Sequence, residues 1–287
     1  MIYFKTSGNL GNVLFEYAAA LSLDPDALCY TDDPNVLAHE ADFREVMPQL
    51  KIVRELPPGV RHYTEPEFRY RPFPAFAPGE DVVLHGYYQS ERYFNIPRVR
   101  AALALSPERR QALETRFAEW LAPDDVTSVH VRRGDYLKVP HCHPFVGEDY
   151  FRKAIAALGD VRHFIVFSND IAWCKAFFPK AFPDREFRFC TGNTPSEDMH
   201  LQSLCRNHII SNSSFSWWGA WLDPRPDKRV LAPSEWFGCF YVAHGVDGRD
   251  IYAKGTEVIA NPPSLPARLY AWWTRLKARV SFTSSRS

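Results

Sequence analysis

Two adjacent arginines, Arg132 and Arg133, follow a short apolar run that ends at Val131, and Gly134 and Asp135 come directly after them. A guanidinium group stays charged and binds phosphate oxygens through two parallel N–H donors. Glycine at the third position lets a ligand approach the backbone closely. The pattern favours a diphosphate site in which Asp135 orients one arginine. The alternative interpretation is an ion-pair cluster that only holds a loop.

A serine-rich segment follows a second apolar run, with the sequence SNSSFSWWGAW at 211–221. Free backbone N–H groups at the start of a helix bind phosphate well, which makes Ser213, Ser214 and Phe215 candidate donor-binding residues. The alternative is a serine-capped helix whose tryptophans pack in the core. From these residues alone, both interpretations stay open.

Two further patterns carry less information. Asp198 lies just inside a predicted helix, where its carboxylate either accepts the N–H groups of a guanine or acts as an ordinary first-turn acid. Gly8, Gly11 and Asn12 form a turn where the first strand meets the first helix, and such a turn can face a phosphate. Neither pattern identifies a ligand by itself.

Metal chemistry is poorly supported by the sequence. His141, Cys142 and His143 are consecutive, but three adjacent ligands rarely converge on one ion, and no second pair has structural-zinc spacing. The compact acidic pair Asp24 and Asp26 falls in a predicted turn after a helix. We therefore expect no metal ion and no other cofactor.

The elements that must position these residues are regular after about residue 124. Short apolar runs alternate with helical periods, which predicts an α/β fold with a parallel, doubly wound sheet. Ligands bind such sheets at the carboxyl ends of the strands, where the arginine and serine segments fall. The predicted strands are 128–131, 164–167, 187–190, 208–210 and 230–232, and the predicted helices are 149–158, 171–178, 195–205 and 215–222.

The first part of the chain begins with a strand, a glycine turn and a helical period, and 57–80 is rich in proline and aromatic residues. That stretch predicts a long irregular connection packed by its own rings. We expect an N-terminal, acceptor-side domain over 1–123, a nucleotide-sugar-binding domain over 124–262, and an amphipathic helix or tail over 263–287.

Composition excludes several classes of protein. The 287 residues carry 34 Lys and Arg against 34 Asp and Glu, so the chain lacks the basic surface of a general nucleic-acid binder. With 24% charged residues and no low-complexity tract, it is not a mainly disordered protein. Scattered cysteines and the lack of a signal-like or membrane-spanning run favour the cytoplasm. The apolar and basic face of 265–280 either docks on the protein or contacts the inner face of the membrane.

Taken together, several blocks resemble the bacterial α-1,2-fucosyltransferase family, and they cover roughly three-quarters of the chain. The first block departs from the usual family pattern, which has glutamines where this chain has Val13 and Glu16. The blocks are GNLGNVLFEYA at 8–18, GYYQSERYF at 86–94, HVRRGDY at 130–136, FSND at 167–170, EDM at 197–199 and HIISNSSFSWWGAWL at 208–222.

The resemblance implies a GT-B-like enzyme with two Rossmann-like domains that uses GDP-fucose, inverts the anomeric carbon and needs no metal. It implies that Arg132 neutralises the leaving diphosphate. It implies that Arg133 and Asp135 shape the loop and that His130 and Asp198 lie near the nucleoside. It places Ser213, Ser214 and Phe215 near the phosphates and base. From the glycine turn, we also expect Gly11 and Asn12 to bind the donor.

An inverting transfer needs a base near the acceptor hydroxyl. The residues near the arginine loop that qualify are Asp135, His141, His143 and Glu148, of which we name Asp135. The expected reaction is fucosylation of O2 of a galactoside in a surface polysaccharide. The alternatives are a transferase that uses another GDP-sugar and a non-catalytic protein that binds glycans or nucleotides.

Overall fold

The structure is a computed structural model that describes residues 1–6, 8–261 and 269. The predicted tail over 263–287 and the amphipathic face at 265–280 therefore lie outside the described residues, apart from position 269. Within the described residues, no helix is long and apolar enough to cross a membrane.

The N-terminal half is built on a parallel sheet in the order β3-β2-β1-β5-β4. Its strands are β1 (Ile2–Lys5), β2 (Leu28–Tyr30), β3 (Ile52–Val53), β4 (Arg61–Thr64) and β5 (Val82–His85). Its helices are α1 (Leu10–Leu23), α2 (Pro34–Ala38), α3 (Glu40–Val46), a 3-10 turn at Glu91–Tyr93, α4 (Ile96–Ala102), α5 (Pro107–Arg116) and α6 (Ala118–Leu121).

The C-terminal half has a second parallel sheet in the order β11-β10-β9-β6-β7-β8. Its strands are β6 (Thr127–Val131), β7 (His163–Ser168), β8 (Glu186–Phe189), β9 (Asn207–Ile209), β10 (Arg229–Pro233) and β11 (Thr256–Ile259). Its helices are α7 (Glu148–Ala157), α8 (Ile171–Ala181), α9 (Pro195–Leu204), α10 (Ser214–Leu222) and α11 (Cys239–Ala243), with 3-10 turns at Asp135–Lys138 and Arg249–Ile251.

Two parallel α/β sheets confirm the predicted GT-B-like fold class. Local signals place the helix starts: Ser106 caps α5, and Thr194 with Glu197 forms a capping box at α9. Strand β6 is buried along its whole length, as a central parallel strand must be.

For residues 57–80, the predicted packing of aromatic rings is correct, but the prediction that the stretch is irregular throughout is wrong because it contains one strand. Rings from this stretch, including Phe73, pack on each other and on Tyr88 and Tyr93. Strand β4 nevertheless forms inside it and pairs with β5. The strand escaped prediction because it is a largely exposed edge strand without an apolar run.

Helix α10 joins the two halves because its tryptophans pack against the N-terminal half. Trp217 and Trp218 lie with their ring centroids 4.5 and 5.0 Å from that of Phe15 on α1. Trp218 also stacks on Phe94 at 5.4 Å. The tryptophans are therefore core residues, and they hold the starts of α1 and α10 close together.

Candidate active site

A cavity of about 950 Å³ lies between the two halves, at the carboxyl ends of strands from both sheets. Of the site residues predicted from sequence, all except Arg133 line it. The lining members are Gly11, Asn12, His130, Arg132, Asp135, Asp198, Ser213, Ser214 and Phe215. The fold thus brings together residues that are as far apart in the chain as Gly11 and Phe215.

Arg132 leaves the end of β6 and is held by Asp135. Its guanidinium donates a 2.9 Å hydrogen bond to Asp135, which also accepts a 3.2 Å bond from the Asn169 amide. Burial opposes ionisation of Asp135, but the hydrogen bond and charge of Arg132 outweigh it and lower the pKa of this carboxyl. The pair therefore presents an oriented arginine beside an ionised, weakly basic carboxylate.

Arg133 points behind the loop instead of lining the cavity. Its guanidinium lies 5.0 Å from the ring of Phe145 and 5.1 Å from that of Trp173, and 3.3 Å from the Asp170 carboxylate. Its backbone N–H donates to Asn169 at 2.9 Å. This arrangement fits a role in shaping the loop.

His130 is buried under the arginine loop and stays neutral. Burial, with a smaller effect of Arg132, lowers the pKa of its imidazole to about 3. Its Nδ1 lies 2.8 Å from the Ser211 hydroxyl, and its ring centroid is 5.7 Å from that of Phe215. A neutral imidazole beside an aromatic ring makes a surface suited to a planar base.

The first turns of α1 and α10 meet at the cavity. Ser214 donates a 2.8 Å hydrogen bond to the Asn12 amide oxygen, and Gln89 donates to the same atom at 2.9 Å. Trp218 donates its indole N–H to the carbonyl of Gly11 at 3.0 Å. A Cβ at Gly11 would lie 2.6 Å from the backbone N of Phe215, so only glycine allows this approach.

Ser213 occupies the N-cap of α10 and lines the cavity, but its side chain makes no capping hydrogen bond. Unpaired N–H groups of a first turn carry partial positive charge and bind anions. Two helix starts and Arg132 therefore give this part of the cavity a positive potential.

Asp198 lies in the first turn of α9 and accepts a 2.8 Å hydrogen bond from the Asn193 amide. Burial raises the pKa of its carboxyl, although the hydrogen bonds from Asn193 and Cys190 oppose the shift. A half-buried acceptor at the cavity wall suits the N–H edge of a purine.

Sequence reasoning missed several lining residues that come from loops. Tyr136 and His143 stack with centroids 4.7 Å apart, and Tyr87, Phe237 and Tyr241 add further rings. Among these rings, only His143 is named from sequence, as a candidate metal ligand and base, so the missed residues are the three tyrosines and Phe237. Tyr87 lies in the GYYQSERYF block at 86–94, but no pattern in that block indicates that its side chain is exposed.

Metal ligands do not cluster in the part of the chain that the structure describes, where no group of three or more His, Cys, Asp and Glu side chains could hold an ion. The acidic pair in the turn after α1 serves the fold: Asp24 accepts the backbone N–H of Ile2 at 3.2 Å, and Asp26 pairs with Lys51 at 3.3 Å.

Comparison with known proteins decides the family. Residues 26–238 match the profile of Glycosyl transferase family 11. The chain belongs to Glycosyl transferase family 11. Its resemblance to the α-1,2-fucosyltransferases, stated from the motifs, is thereby confirmed.

Among similar proteins, the O-antigen biosynthesis glycosyltransferase WbnK of Escherichia coli is 42% identical over 39% of this chain and 39% of its own length. The alpha-1,2-colitosyltransferase of Escherichia coli is 35% identical over 54% of this chain and 56% of its own. Galactoside alpha-(1,2)-fucosyltransferase 2 of Mus musculus is 30% identical over 75% of this chain and 66% of its own. The family 11 chain thus matches between about two-fifths and two-thirds of the length of these relatives.

Among solved structures, the NodZ alpha-1,6-fucosyltransferase co-crystallized with GDP aligns with 78% of this chain and 92% of its own, at 15% identity and a TM-score of 0.49. The E. coli heptosyltransferase WaaC with ADP aligns with 96% of this chain and 98% of its own, at 13% identity and a TM-score of 0.43.

Proposed function

We propose that this family 11 protein transfers L-fucose from GDP-fucose to O2 of a galactoside, with inversion, to form an α-1,2 linkage during surface polysaccharide synthesis. The observation that carries the proposal is the placement of Arg132, held at 2.9 Å by Asp135, in the cavity that the starts of α1 and α10 also line. That arrangement is suited to a sugar diphosphate. The proposed setting is the cytoplasm.

In this proposal, Arg132 and the first turn of α10 bind the diphosphate. Arg132 supplies a permanent positive charge, and Ser213 and Ser214 supply hydroxyls beside the N–H groups of the helix start. Such preorganised donors stabilise the negative charge that develops on the leaving GDP. The reaction then requires no metal to neutralise the leaving group.

The guanosine is proposed to lie between α9 and the His130 region. Asp198 accepts the N–H groups of the guanine edge, while His130 and Phe215 contact a planar face. An ionised carboxylate pairs well with the two adjacent N–H donors of guanine. Adenine lacks this pair of donors and would leave the carboxylate unpaired.

The proposed displacement breaks the bond from C1 of fucose to the phosphate oxygen and forms a bond from C1 to O2 of the acceptor. The hydroxyl proton must leave with a base. Asp135 is a weak base because Arg132 lowers its pKa, so we assign it the role of orienting Arg132. His143 lines the same cavity, and its ring nitrogens have no hydrogen-bond partner among the described residues. We propose that His143 is the base that accepts the proton of the acceptor hydroxyl.

A second donor is favoured by one specific comparison. The Escherichia coli relative that is 35% identical is an alpha-1,2-colitosyltransferase, and colitose is the 3-deoxy form of L-fucose. The two donors share the nucleotide and differ in one hydroxyl of the sugar. GDP-colitose is therefore the alternative donor for the same site.

The test is a transfer assay with GDP-fucose, GDP-colitose and GDP-mannose on a panel of β-galactosides, followed by NMR assignment of the new linkage. We expect transfer from GDP-fucose, with an α linkage to O2 of galactose. A clear preference for GDP-colitose would replace the donor and keep the rest of the proposal. No transfer from any GDP-sugar would overturn it.

A further inference from the structure

The cavity is chemically divided. Beside Arg132 it is positive, whereas another part of its lining consists of aromatic rings. The rings form a continuous wall. The ring centroid of Tyr241 lies 5.4 Å from that of His143 and 5.7 Å from that of Phe237, and the centroids of Phe237 and Phe68 are 4.8 Å apart. Such a surface does not suit a diphosphate.

Tyr87 lines the same cavity from the loop after β5. Its side chain is 42% exposed, although the neighbouring Tyr88 is buried. Burial, with smaller effects of the Glu16 carboxyl and the Tyr241 hydroxyl, raises the pKa of the Tyr87 phenol. A large ring left open in a cavity indicates a ligand-binding surface.

The loop that presents Tyr87 is strained and clamped. Tyr88 has a φ of 50°, a conformation that an aromatic residue rarely adopts, and Gly86 has a φ of 148°. The Glu65 carboxylate accepts the backbone N–H groups of Tyr87 at 2.9 Å and of Tyr88 at 3.1 Å. A Cβ at Gly86 would lie 2.4 Å from that of Glu65. Strain held in this way at a cavity is typical of a functional position.

We propose that the ring of Tyr87 is a stacking platform for the acceptor, a neutral hexopyranoside whose C–H face lies against the ring. The polarised C–H groups of a pyranose meet the negative face of an aromatic ring favourably. Glu65 is the positioning residue for the platform. The inference rests on the proposed function, because it names the acceptor of the same site.

The test measures sugar binding without turnover. Saturation-transfer difference NMR is recorded for the full chain with saturating GDP and each of three probes: methyl β-D-galactopyranoside, methyl β-D-glucopyranoside and methyl α-D-mannopyranoside. The variants are Tyr87→Ala, Tyr87→Leu and Tyr87→Phe. Ile96→Ala is the matched control, because Ile96 is an exposed apolar residue outside the cavity lining. Thermal unfolding shows that each variant is folded.

We expect transfer of saturation to the C–H protons of at least one pyranoside. The signal should fall on the order of tenfold in Tyr87→Ala and Tyr87→Leu and should persist in Tyr87→Phe and Ile96→Ala. No signal from any probe with the wild-type chain, or an undiminished signal in Tyr87→Leu, would overturn the proposal. Failure of the donor assay with an intact sugar signal would overturn only the proposed function.

Discussion

Ser214 donates a 2.8 Å hydrogen bond to the side-chain oxygen of Asn12, so the first turns of α10 and α1 are joined directly at the cavity. Asn12 belongs to the N-terminal half and Ser214 to the C-terminal half, and the two residues lie 202 positions apart in the chain. The bond holds two positive helix starts side by side, which would repel each other without a counter-charge. An anionic ligand placed between them should therefore stabilise the junction.

The close approach at this junction predicts a sensitive glycine. Gly11→Ala puts a methyl group 2.6 Å from the backbone of Phe215 and from the Ser214 hydroxyl, so α1 and α10 must move apart. We expect a loss of about 1–3 kcal/mol in the free energy of unfolding and weaker GDP binding. Denaturant titration and calorimetry measure both quantities.

Gly147→Ala is the matched control, because the nearest atom to its added Cβ is 4.0 Å away. Its cost at the N-cap of α7 should stay below about 1 kcal/mol. Equal stability of the Gly11 and Gly147 variants would contradict the tight junction.

The assignment of the proton to His143 predicts a pH dependence. Burial, with Arg132, lowers the pKa of His143 below 6.5, although Asp135 opposes the shift. A base works only when it is deprotonated, so kcat should be flat near neutral pH and should fall as pH drops through this lowered pKa. His143→Asn should reduce kcat by roughly 10²–10⁴-fold.

The variant Asp135→Asn distinguishes the role of Asp135 from that of His143 in this assay. It should lower kcat by disordering Arg132, yet it should keep the acidic limb that His143 produces. A full acidic limb in His143→Asn, measured from pH 4 to 8 in the same transfer assay, would assign the proton elsewhere.

The buried Glu16 predicts a stability that depends on pH. The side chain is 2% exposed, and its Oε2 has no hydrogen-bond partner in the described residues. Burial raises its pKa well above 4.5, and Glu65 adds to this effect. Because the folded state then binds more protons than the unfolded state above pH 4.5, the free energy of unfolding falls as pH rises.

Glu16→Gln removes this titration. The variant should be stabilised by about 1–3 kcal/mol at pH 8 and by less at pH 5. Thermal unfolding at several pH values measures the difference. Glu114→Gln, at an exposed position on α5, is the control. If the stability difference between Glu16→Gln and the wild type does not change with pH, the inference that the buried Glu16 carboxyl is protonated is wrong.

Much of the C-terminal sheet could be predicted from sequence because its signals are local. Strands such as β6 are short apolar runs, and helices such as α9 start with a proline after a capping threonine. The carboxyl-end rule then located the arginine and serine loops in the cavity. The resemblance of the motif blocks to a known family added the proposal of a GDP-sugar donor.

Other features depend on tertiary structure and carry no local signal. Neighbouring side chains in a loop point to opposite sides, so the sequence did not distinguish Arg132, which faces the cavity, from Arg133, which packs behind it on Trp173. Tyr87 and Tyr88 are likewise adjacent and identical in type. The Glu65 carboxylate that accepts both of their backbone N–H groups lies more than twenty positions away, so no local pattern predicts this contact.

The central claim, that Arg132 and the paired helix starts bind a guanosine diphosphate without a metal, is tested most directly by calorimetric titration of GDP in EDTA. The variants are Arg132→Ala and the control Arg110→Ala, which removes an exposed arginine that pairs with Glu114 on α5 at 2.8 Å. We expect wild type and Arg110→Ala to bind GDP equally and UDP far more weakly. Arg132→Ala should bind GDP roughly 10–100-fold more weakly, the value of a charge-assisted hydrogen bond. Equal binding of GDP and UDP, a requirement for metal, or full affinity in Arg132→Ala would contradict the account.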